Sequence, residues 1–223
     1  MSGPGESVGA WPAVALSLQV ACTSVLVSLP LGVAVGWVLA RKRFRGRVLL
    51  DAVVYLPLVL PPVVTGYALL WALSPRGPLG GLELAFTWRG AALASAVVAF
   101  PLLVRAIRLG FEAVDPGLEE AAYTLGASPW RTFWRVTLPL AWPGVLSGVL
   151  LAFGRSLGEF GATITFAGNI EGETRTLPLA IYTALQTPGG RDQATTLAWL
   201  SAGLALGTLV AGEVLARRSR WRR

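Results

Sequence analysis

The sequence of 223 residues contains no histidine and a single cysteine, Cys22. Without histidine the chain lacks the usual acid–base side chain, the central member of most nucleophile triads and the commonest protein metal ligand. One cysteine cannot form an intrachain disulfide. There is also no GxxxxGK[ST] phosphate-binding loop and no dinucleotide-binding fingerprint. These absences argue against an enzyme, and in particular against a chain that binds and hydrolyses ATP itself.

Charged residues are scarce as well. They make up 14% of the chain, whereas soluble domains average about 25%. Hydrophobic residues make up 54%, and the mean hydropathy is +0.60. Such a composition is too apolar for a soluble domain and predicts a protein that lies in a membrane.

The basic residues that are present fall mainly into two clusters, each directly after an apolar segment. The formal net charge is +7. Basic clusters beside a membrane span stay on the cytoplasmic side and can contact anionic lipid. This placement favours a role in membrane topology over nucleic-acid binding, and we expect no nucleic-acid partner. The clusters consist of Arg41, Lys42, Arg43, Arg45 and Arg47, and of Arg217, Arg218, Arg220, Arg222 and Arg223.

Five apolar runs approach the length of about 20 residues that crosses a bilayer as a helix. We therefore predict an all-α integral membrane protein with about five transmembrane helices, forming a single transmembrane domain over residues 1–223. In the third run, Arg105 and Arg108 stand near the end, where long side chains can reach the interface. The five runs are 13–40, 48–73, 90–109, 144–167 and 195–216.

Proline interrupts the second run most strongly, at Pro57, Pro61 and Pro62. Helix-breaking residues persist in membranes where protein or water satisfies the freed backbone groups. The second span is thus expected to line a cavity or to kink against a partner, and a lipid-facing kinked helix is the alternative. Between the last two runs, the apolar stretch 177–185 is too short to cross; it could re-enter the membrane edge or lie beneath an extracytoplasmic partner.

The segment 112–143, between the third and fourth runs, carries the signals of two short helices. Asp115 can cap the first helix with Pro116 at its first position, and Gly126 is a natural stop. Ser128 can likewise cap a second helix, with Pro129 at its first position. The segment therefore predicts a helical hairpin that bends at a glycine.

The second helix of this hairpin presents aromatic and basic side chains. Trp130, Phe133 and Trp134 are three and four residues apart and share a face, beside Arg131 and Arg135. Aromatic and arginine side chains dominate the energetics of protein interfaces. A docking surface for another protein is one interpretation, and an amphipathic hairpin lying on the bilayer is the other.

A longer spacing rule favours docking. Glu120-Ala121-Ala122 is followed after three residues by Gly126, and after nine more by Val136-Thr137-Leu138-Pro139. This spacing resembles the cytoplasmic EAA loop of ABC-importer permeases, with Val136 in place of the more usual isoleucine. The resemblance implies the type I importer permease fold and a loop gripped by an ATPase. The residues expected to couple to that ATPase are Glu120, Ala121, Ala122, Gly126, Trp130, Phe133, Trp134, Val136, Leu138 and Pro139.

Three further stretches resemble the molybdate branch of these permeases: LPLVLPPVVTG at 56–66, RSLGEFGAT at 155–163 and GETRTLP at 172–178. The resemblance implies a permease homodimer, two cytoplasmic ATPase subunits and an extracytoplasmic solute-binding protein that delivers molybdate or tungstate. It implies that ATP and Mg²⁺ belong to the ATPase and that this chain binds no cofactor or metal. Sulfate permeases share the loop and a similar Gly-Glu-Phe/Tyr-Gly stretch, so a sulfate or thiosulfate importer is the alternative. Many members of the family carry an extra N-terminal span, which we do not expect in this chain.

Arg155 and Glu159 are charged residues within the fourth run, four positions apart. Charges inside a bilayer are costly unless they are paired or face water. We expect an intramembrane pair that supports the permeation path; the alternatives are an oxyanion ligand at Arg155 and a contact to a neighbouring helix. Intramembrane charges would also suit an ATP-independent secondary carrier, but that function leaves the loop unexplained. The candidate path residues are Pro61, Pro62, Thr65, Arg155, Glu159 and Thr163.

The orientation follows from the hairpin. A cytoplasmic hairpin places both arginine clusters in the cytoplasm as well, in agreement with the positive-inside rule. We predict a multi-pass protein of the cell membrane, with its N-terminus outside and its C-terminus in the cytoplasm.

Overall fold

The computed structural model describes residues 10–220, and for residues 213 and 215–220 it describes the backbone only. The predicted exterior N-terminus falls on residues 1–9 and lies outside the described residues, as do Arg222 and Arg223 of the C-terminal cluster. Residues 10–220 form helices joined by turns and contain no strand. This confirms the all-α fold.

Most of the chain lies in long helices, with shorter ones at the predicted hairpin and near the interruptions. The α-helices are α1 Ala10–Arg41, α2 Arg47–Val59, α3 Pro62–Leu73, α4 Trp88–Glu112, α5 Pro116–Thr124, α6 Pro129–Thr132, α7 Leu138–Leu157, α8 Gly161–Phe166, α9 Leu177–Gln186 and α10 Arg191–Arg220. A 3₁₀ turn covers Gly80–Leu82, and a π-helical segment covers Phe133–Thr137.

Within the described part of the chain, four helical stretches are long and apolar enough to cross a membrane, or five with a bent pair counted as one span. The bent pair is the predicted second span: α2 and α3 meet at an angle of 112°. Leu60 and Pro61 between them are extended, with ψ of 141° and 134°. Proline disfavours helical backbone in the residue before it, and the consecutive Pro61 and Pro62 therefore impose the break.

The fourth span has different bounds from those predicted. It begins at Pro129, continues through α6, the π-helical segment and α7, and ends at Leu157. Residues 158–160 are not helical and separate α7 from the short helix α8, so the predicted run 144–167 is not one helix. The second half of the predicted loop 112–143 is helical and continuous with α7, so it belongs to the fourth span and not to a loop. The wider π turn ends at Thr137, two residues before Pro139, which cannot donate a backbone hydrogen bond.

Helix α4 is the centre of the bundle and packs against both α1 and α7, which also contact each other. Helices in a bilayer gain little from hydrophobic burial, so close packing beside small residues holds them together. Gly32 and Gly36 of α1 lie against Leu103 and Ile107 of α4, and Gly110 of α4 lies against α7. Leu103 and Ile107 are fully buried.

The short apolar stretch near the C-terminus forms α9, which packs against α1 and α10. Leu177 and Ala180 of α9 share a buried cluster with Val14 and Leu197. The backbone N–H of Leu177 donates to Ser17 Oγ at 2.7 Å, which satisfies one of the free N–H groups at the start of α9. Helix α9 is thereby fixed against two long helices, α1 and α10.

Candidate functional site

The first helix of the hairpin, α5, begins as its sequence predicts. Pro116 is its first residue, and Asp115 is its N-cap. The Asp115 side chain accepts a hydrogen bond from the backbone N–H of Gly117 at 2.9 Å. This bond satisfies one of the N–H groups that have no partner within the helix, and the negative charge faces the positive end of the helix dipole.

Gly126 ends this helix in a left-handed conformation, with φ of 82°. Its N–H donates to the Tyr123 carbonyl at 2.9 Å, and the N–H of Ala127 donates to the Ala122 carbonyl at 3.0 Å. These two bonds form a Schellman motif, for which glycine is the preferred residue. Apart from its chain neighbours, no described residue places an atom within 4 Å of the position that a Cβ of Gly126 would occupy, so the turn is open on its outer side.

The second half of the hairpin starts at Ser128, whose side chain accepts the N–H of Arg131 at 3.4 Å. Trp130 is 71% exposed and Trp134 is 50% exposed, and their rings form an edge-on pair with centroids 5.4 Å apart. Arg131 and Arg135 are exposed beside them. Two large aromatic rings thus lie outside the bundle, on the same hairpin as the open Gly126 turn.

Phe133 differs from its two aromatic neighbours. Its ring packs inward, with centroids 5.8 Å from Trp37 of α1 and 6.1 Å from Phe111 of α4. Phe133 also contacts Trp134 edge-on at 5.4 Å. The predicted aromatic face is therefore split: two tryptophans are exposed, and the phenylalanine attaches the hairpin to the bundle.

The ten predicted coupling residues divide in the same way. Glu120, Ala121, Gly126, Trp130, Trp134 and Pro139 are exposed, whereas Ala122, Phe133, Val136 and Leu138 are half-buried. We call the six exposed residues the coupling surface. Of the four half-buried residues, Phe133 and Leu138 pack against the largest buried apolar cluster.

A polar cluster under the hairpin was not predicted as a site from the sequence. Arg41 Nη2, at the end of α1, lies 3.2 Å from Glu119 Oε1 of α5 and donates to the Val114 carbonyl at 2.8 Å. Thr137 Oγ1, at the end of the π-helical segment, donates to the same Glu119 oxygen at 2.8 Å. Arg41 belongs to a cluster interpreted as topological and Glu119 stands where a helix dipole favours acid, so neither had a local signal for this contact.

Arg155 and Glu159 form an ion pair, with Arg155 Nη1 2.7 Å from Glu159 Oε2. Only 2% of the Glu159 side chain is exposed, against 30% for Arg155. The other carboxylate oxygen of Glu159 accepts the N–H of Ala162 at 2.8 Å, in the first turn of α8. Because α7 ends at Leu157, Arg155 is in the helix and Glu159 is in the non-helical segment after it. The pair therefore does not lie on one helix face.

The broken ends of the second and fourth spans meet. Helix α8 packs on α3: Gly161 lies against Pro62, and a Cβ on Gly66 would approach the Ala162 carbonyl oxygen to 2.7 Å. Two stretches that are almost 100 residues apart in sequence, and that were each singled out from the sequence, are thereby brought into contact. Glycine is needed at this contact because the two backbones approach closely.

The other candidate path residues differ in exposure. Thr65 is 6% exposed and Thr163 is 1% exposed, and their hydroxyl groups have no hydrogen-bond partner among the described residues. Pro61 is exposed and Pro62 is half-buried. The break regions therefore combine an exposed proline with buried polar groups, and the role of these residues in permeation stays a prediction.

Comparison with known proteins identifies the family to which the chain belongs. Residues 28–220 match the family model described as binding-protein-dependent transport system inner membrane component. The Molybdenum transport system permease protein ModB of Escherichia coli (strain K12) is 56% identical over 219 residues, which cover 95% of this chain and 96% of that protein. Its Haemophilus influenzae counterpart is 55% identical over 92% of this chain and 93% of that protein. The probable sulfate transport system permease protein cysT of Chlorokybus atmophyticus is 40% identical over 77% of this chain and 62% of that protein.

Solved structures show the same fold at low sequence identity. A chain of the bacterial ABC transporter that imports the acidic polysaccharide alginate superposes with a TM-score of 0.74 at 21% identity, over 93% of this chain and 78% of that chain. A chain of the MetNI methionine ABC transporter in inward-facing conformations gives 0.71 at 19% identity, over 95% and 94%. The predicted importer permease fold is confirmed.

Proposed function

Because this chain belongs to the family of binding-protein-dependent transport system inner membrane components, we propose that it is the permease subunit of an ATP-driven molybdate importer. The two relatives at 56% and 55% identity are both named molybdenum permeases. The relative named for sulfate reaches 40% identity. This ordering favours molybdate, or tungstate as an anion of the same charge and similar size, over sulfate.

The observation that carries the coupling role is the exposed hairpin on a protein that is otherwise apolar. Its open Gly126 turn lets a partner's backbone approach closely, and Trp130 and Trp134 offer the aromatic area typical of interface hot spots. The sequence has no nucleotide-binding loop of its own. We infer that a separate cytoplasmic ATPase subunit, carrying ATP and Mg²⁺, binds the coupling surface.

The assembly follows from this role. Two copies of the chain would form the translocation path between them, each copy with one ATPase subunit, and an extracytoplasmic binding protein would deliver the oxyanion. The cargo would cross near the breaks of the second and fourth spans, where backbone groups freed from helix hydrogen bonding are available. With the hairpin in the cytoplasm, the C-terminus is also cytoplasmic and the N-terminus is outside.

The fourth span connects the coupling surface directly to the region of the Arg155–Glu159 pair. The helix from Pro129 to Leu157 is continuous over 29 residues, a length of about 44 Å at 1.5 Å per residue. It carries Trp130 of the coupling surface at one end and Arg155 at the other. A displacement of the hairpin by the ATPase would therefore shift the end of α7 against α8, where Glu159 joins the two helices.

Reconstitution tests this function. The chain, its ATPase and its binding protein are placed in liposomes, and ATP hydrolysis and anion uptake are measured with molybdate, tungstate and sulfate. We expect molybdate or tungstate to stimulate both activities more strongly than sulfate. Stronger stimulation by sulfate would make the chain a sulfate permease, and uptake without any ATPase would indicate a secondary carrier.

A further inference from the structure

We propose that Arg41 is a positioning residue that fastens the coupling hairpin to α1 and α4, so that ATPase-driven movement of the hairpin reaches these helices as well as α7. This inference rests on the proposed importer function and adds a second route of transmission to it. We call the three side chains involved, Arg41, Glu119 and Thr137, the polar junction.

One guanidinium group joins three elements in this junction. Arg41 stands in the last turn of α1, contacts Glu119 of α5 and donates to the carbonyl of Val114, two residues after α4. Glu119 in turn accepts the hydroxyl of Thr137, the last residue of the π-helical segment. The end of α1, the exit of α4 and both halves of the hairpin are therefore fixed relative to one another by three short contacts.

An apolar layer lies one helical turn from the polar junction. Trp37 precedes Arg41 by four residues and lies on the same face of α1. Its ring contacts Phe133, at the start of the π-helical segment, and Phe133 also contacts Phe111 of α4. The two layers attach the same two membrane helices to the two ends of the π-helical segment. Such double attachment resists both sliding and rotation of the hairpin.

Stability alone is a weak reason for the polar layer. The Arg41 and Glu119 side chains are only 16% and 17% exposed, and the Nε of Arg41 is buried with no acceptor among the described residues. A partly satisfied buried ion pair is frequently no more stable than apolar side chains of the same volume. What the pair supplies is a defined geometry, since a bond between a guanidinium and a carboxylate has a preferred direction and distance.

The π-helical segment explains why a defined geometry is needed there. Covalent continuity connects the hairpin to α7, but it runs through five residues of π helix, a wide turn that frequently occurs at functional sites. Thr137 lies at the junction of that turn with α7, and its bond to Glu119 closes the turn against α5. Without the polar junction, we expect the hairpin to pivot at this turn instead of moving the bundle.

The test measures coupling in the reconstituted complex of the chain, its ATPase and its binding protein. Arg41→Gln, Glu119→Gln and Thr137→Val are compared with wild type for the amount of anion taken up per ATP hydrolysed. We expect this ratio to fall about fivefold in Arg41→Gln, at the lower end of typical coupling between sites, and less in Thr137→Val, which removes one bond. Arg41→Lys should recover part of the loss. Arg43→Gln, which removes an exposed charge of the same cluster, is the matched control and should leave the ratio unchanged.

A second readout does not depend on transport. In the full chain in lipid nanodiscs, with Cys22→Ser and an excess of unlabelled chain, spin labels are placed at the exposed positions 45 and 125. The distance distribution between them should be narrow in the otherwise unchanged chain and broader in Arg41→Gln and Thr137→Val. Unchanged distributions would overturn the inference, even if no transport were observed.

The transport outcomes separate the two proposals. If wild type shows no anion-stimulated ATP hydrolysis, the importer function fails, and the distance measurement still decides whether the junction is rigid. If wild type transports and the three variants keep the wild-type ratio, the junction has no role in coupling. If Arg41→Gln lowers the unfolding temperature and ATPase co-purification while Thr137→Val has no effect on the ratio or the distances, the cluster is structural only, and the inference is wrong.

Discussion

Arg155 Nη1 lies 2.7 Å from Glu159 Oε2. The pair spans the end of helix α7 and the non-helical residues that precede α8. Glu159 is almost fully buried, and its other oxygen accepts the backbone N–H of Ala162 at 2.8 Å. The carboxylate therefore has two functions: it neutralises the arginine at the end of α7, and it caps the first turn of α8. Variants at these two positions must be chosen with both in mind.

We predict that the pair supports the path and does not bind the anion directly. Arg155→Gln leaves the buried carboxylate without its partner and should lower stability by about 1–3 kcal/mol, less than the roughly 3–5 kcal/mol of fully buried pairs because Arg155 remains partly exposed. Glu159→Gln keeps an oxygen that can accept from Ala162, so the double variant should recover stability and some transport. Thermal unfolding and anion uptake measure both effects.

The competing interpretation makes a different prediction for the same variants. If Arg155 binds the oxyanion, Arg155→Gln should be stable and should abolish uptake, and the double variant should show no recovery. Glu159→Ala is a useful addition because it removes the cap of α8 as well as the charge. A greater loss of stability in Glu159→Ala than in Glu159→Gln would identify the capping contribution, expected at about 0.5–2 kcal/mol.

We predict that bulk at Gly126 weakens ATPase binding. Gly126 has positive φ, so Gly126→Val both strains the turn and adds a side chain. Gly126→Asn separates the two effects, since asparagine tolerates this conformation and the surrounding space is open. Both variants should insert normally and lose ATPase co-purification and transport. Full transport by Gly126→Asn would show that the Gly126 turn is not part of the interface with the ATPase.

The close contact between α3 and α8 predicts sensitivity to a single methyl group. A Cβ on Gly66 would meet the Ala162 backbone and Thr165 at less than 3 Å. We expect Gly66→Ala to lower stability by about 1–3 kcal/mol, as overpacking does, and to reduce transport. Gly203→Ala in α10 is the control: apart from its chain neighbours and its own helix backbone, no described residue has an atom within 4 Å of the added methyl, so the unfolding temperature should not fall.

Cysteine labelling tests the predicted orientation. In a Cys22→Ser background, a cysteine at Ser2 or Thr187 should react with an impermeant reagent from outside, and one at Leu125 or Ser219 should not. Thr187 and Leu125 are exposed, whereas the neighbouring Gly190 is buried and would be a poor probe. External labelling of Leu125 would place the hairpin on the wrong side for a cytoplasmic ATPase.

The local features of this protein were predictable because their causes are local. Composition and run length alone indicate helices in a membrane, since a bilayer core leaves few other ways to satisfy the backbone. The cap at Asp115 and the stop at Gly126 depend on a few adjacent residues, and the structure has both. The family resemblance of the hairpin likewise rests on a spacing that can be read along the chain.

The tertiary structure decided everything that depends on which helices become neighbours. No pattern near Arg41 or Glu119 indicates that the 77 intervening residues fold so that the two side chains meet. Phe133 shares a sequence spacing with two exposed tryptophans, yet it turns inward because Trp37 and Phe111 lie on that side. The end of α7 at Leu157 was missed because residues 158–160 are as compatible with an apolar span as with a break. The contact with α3, the cap from Glu159 and the ion pair to Arg155 become visible only when the helices are packed.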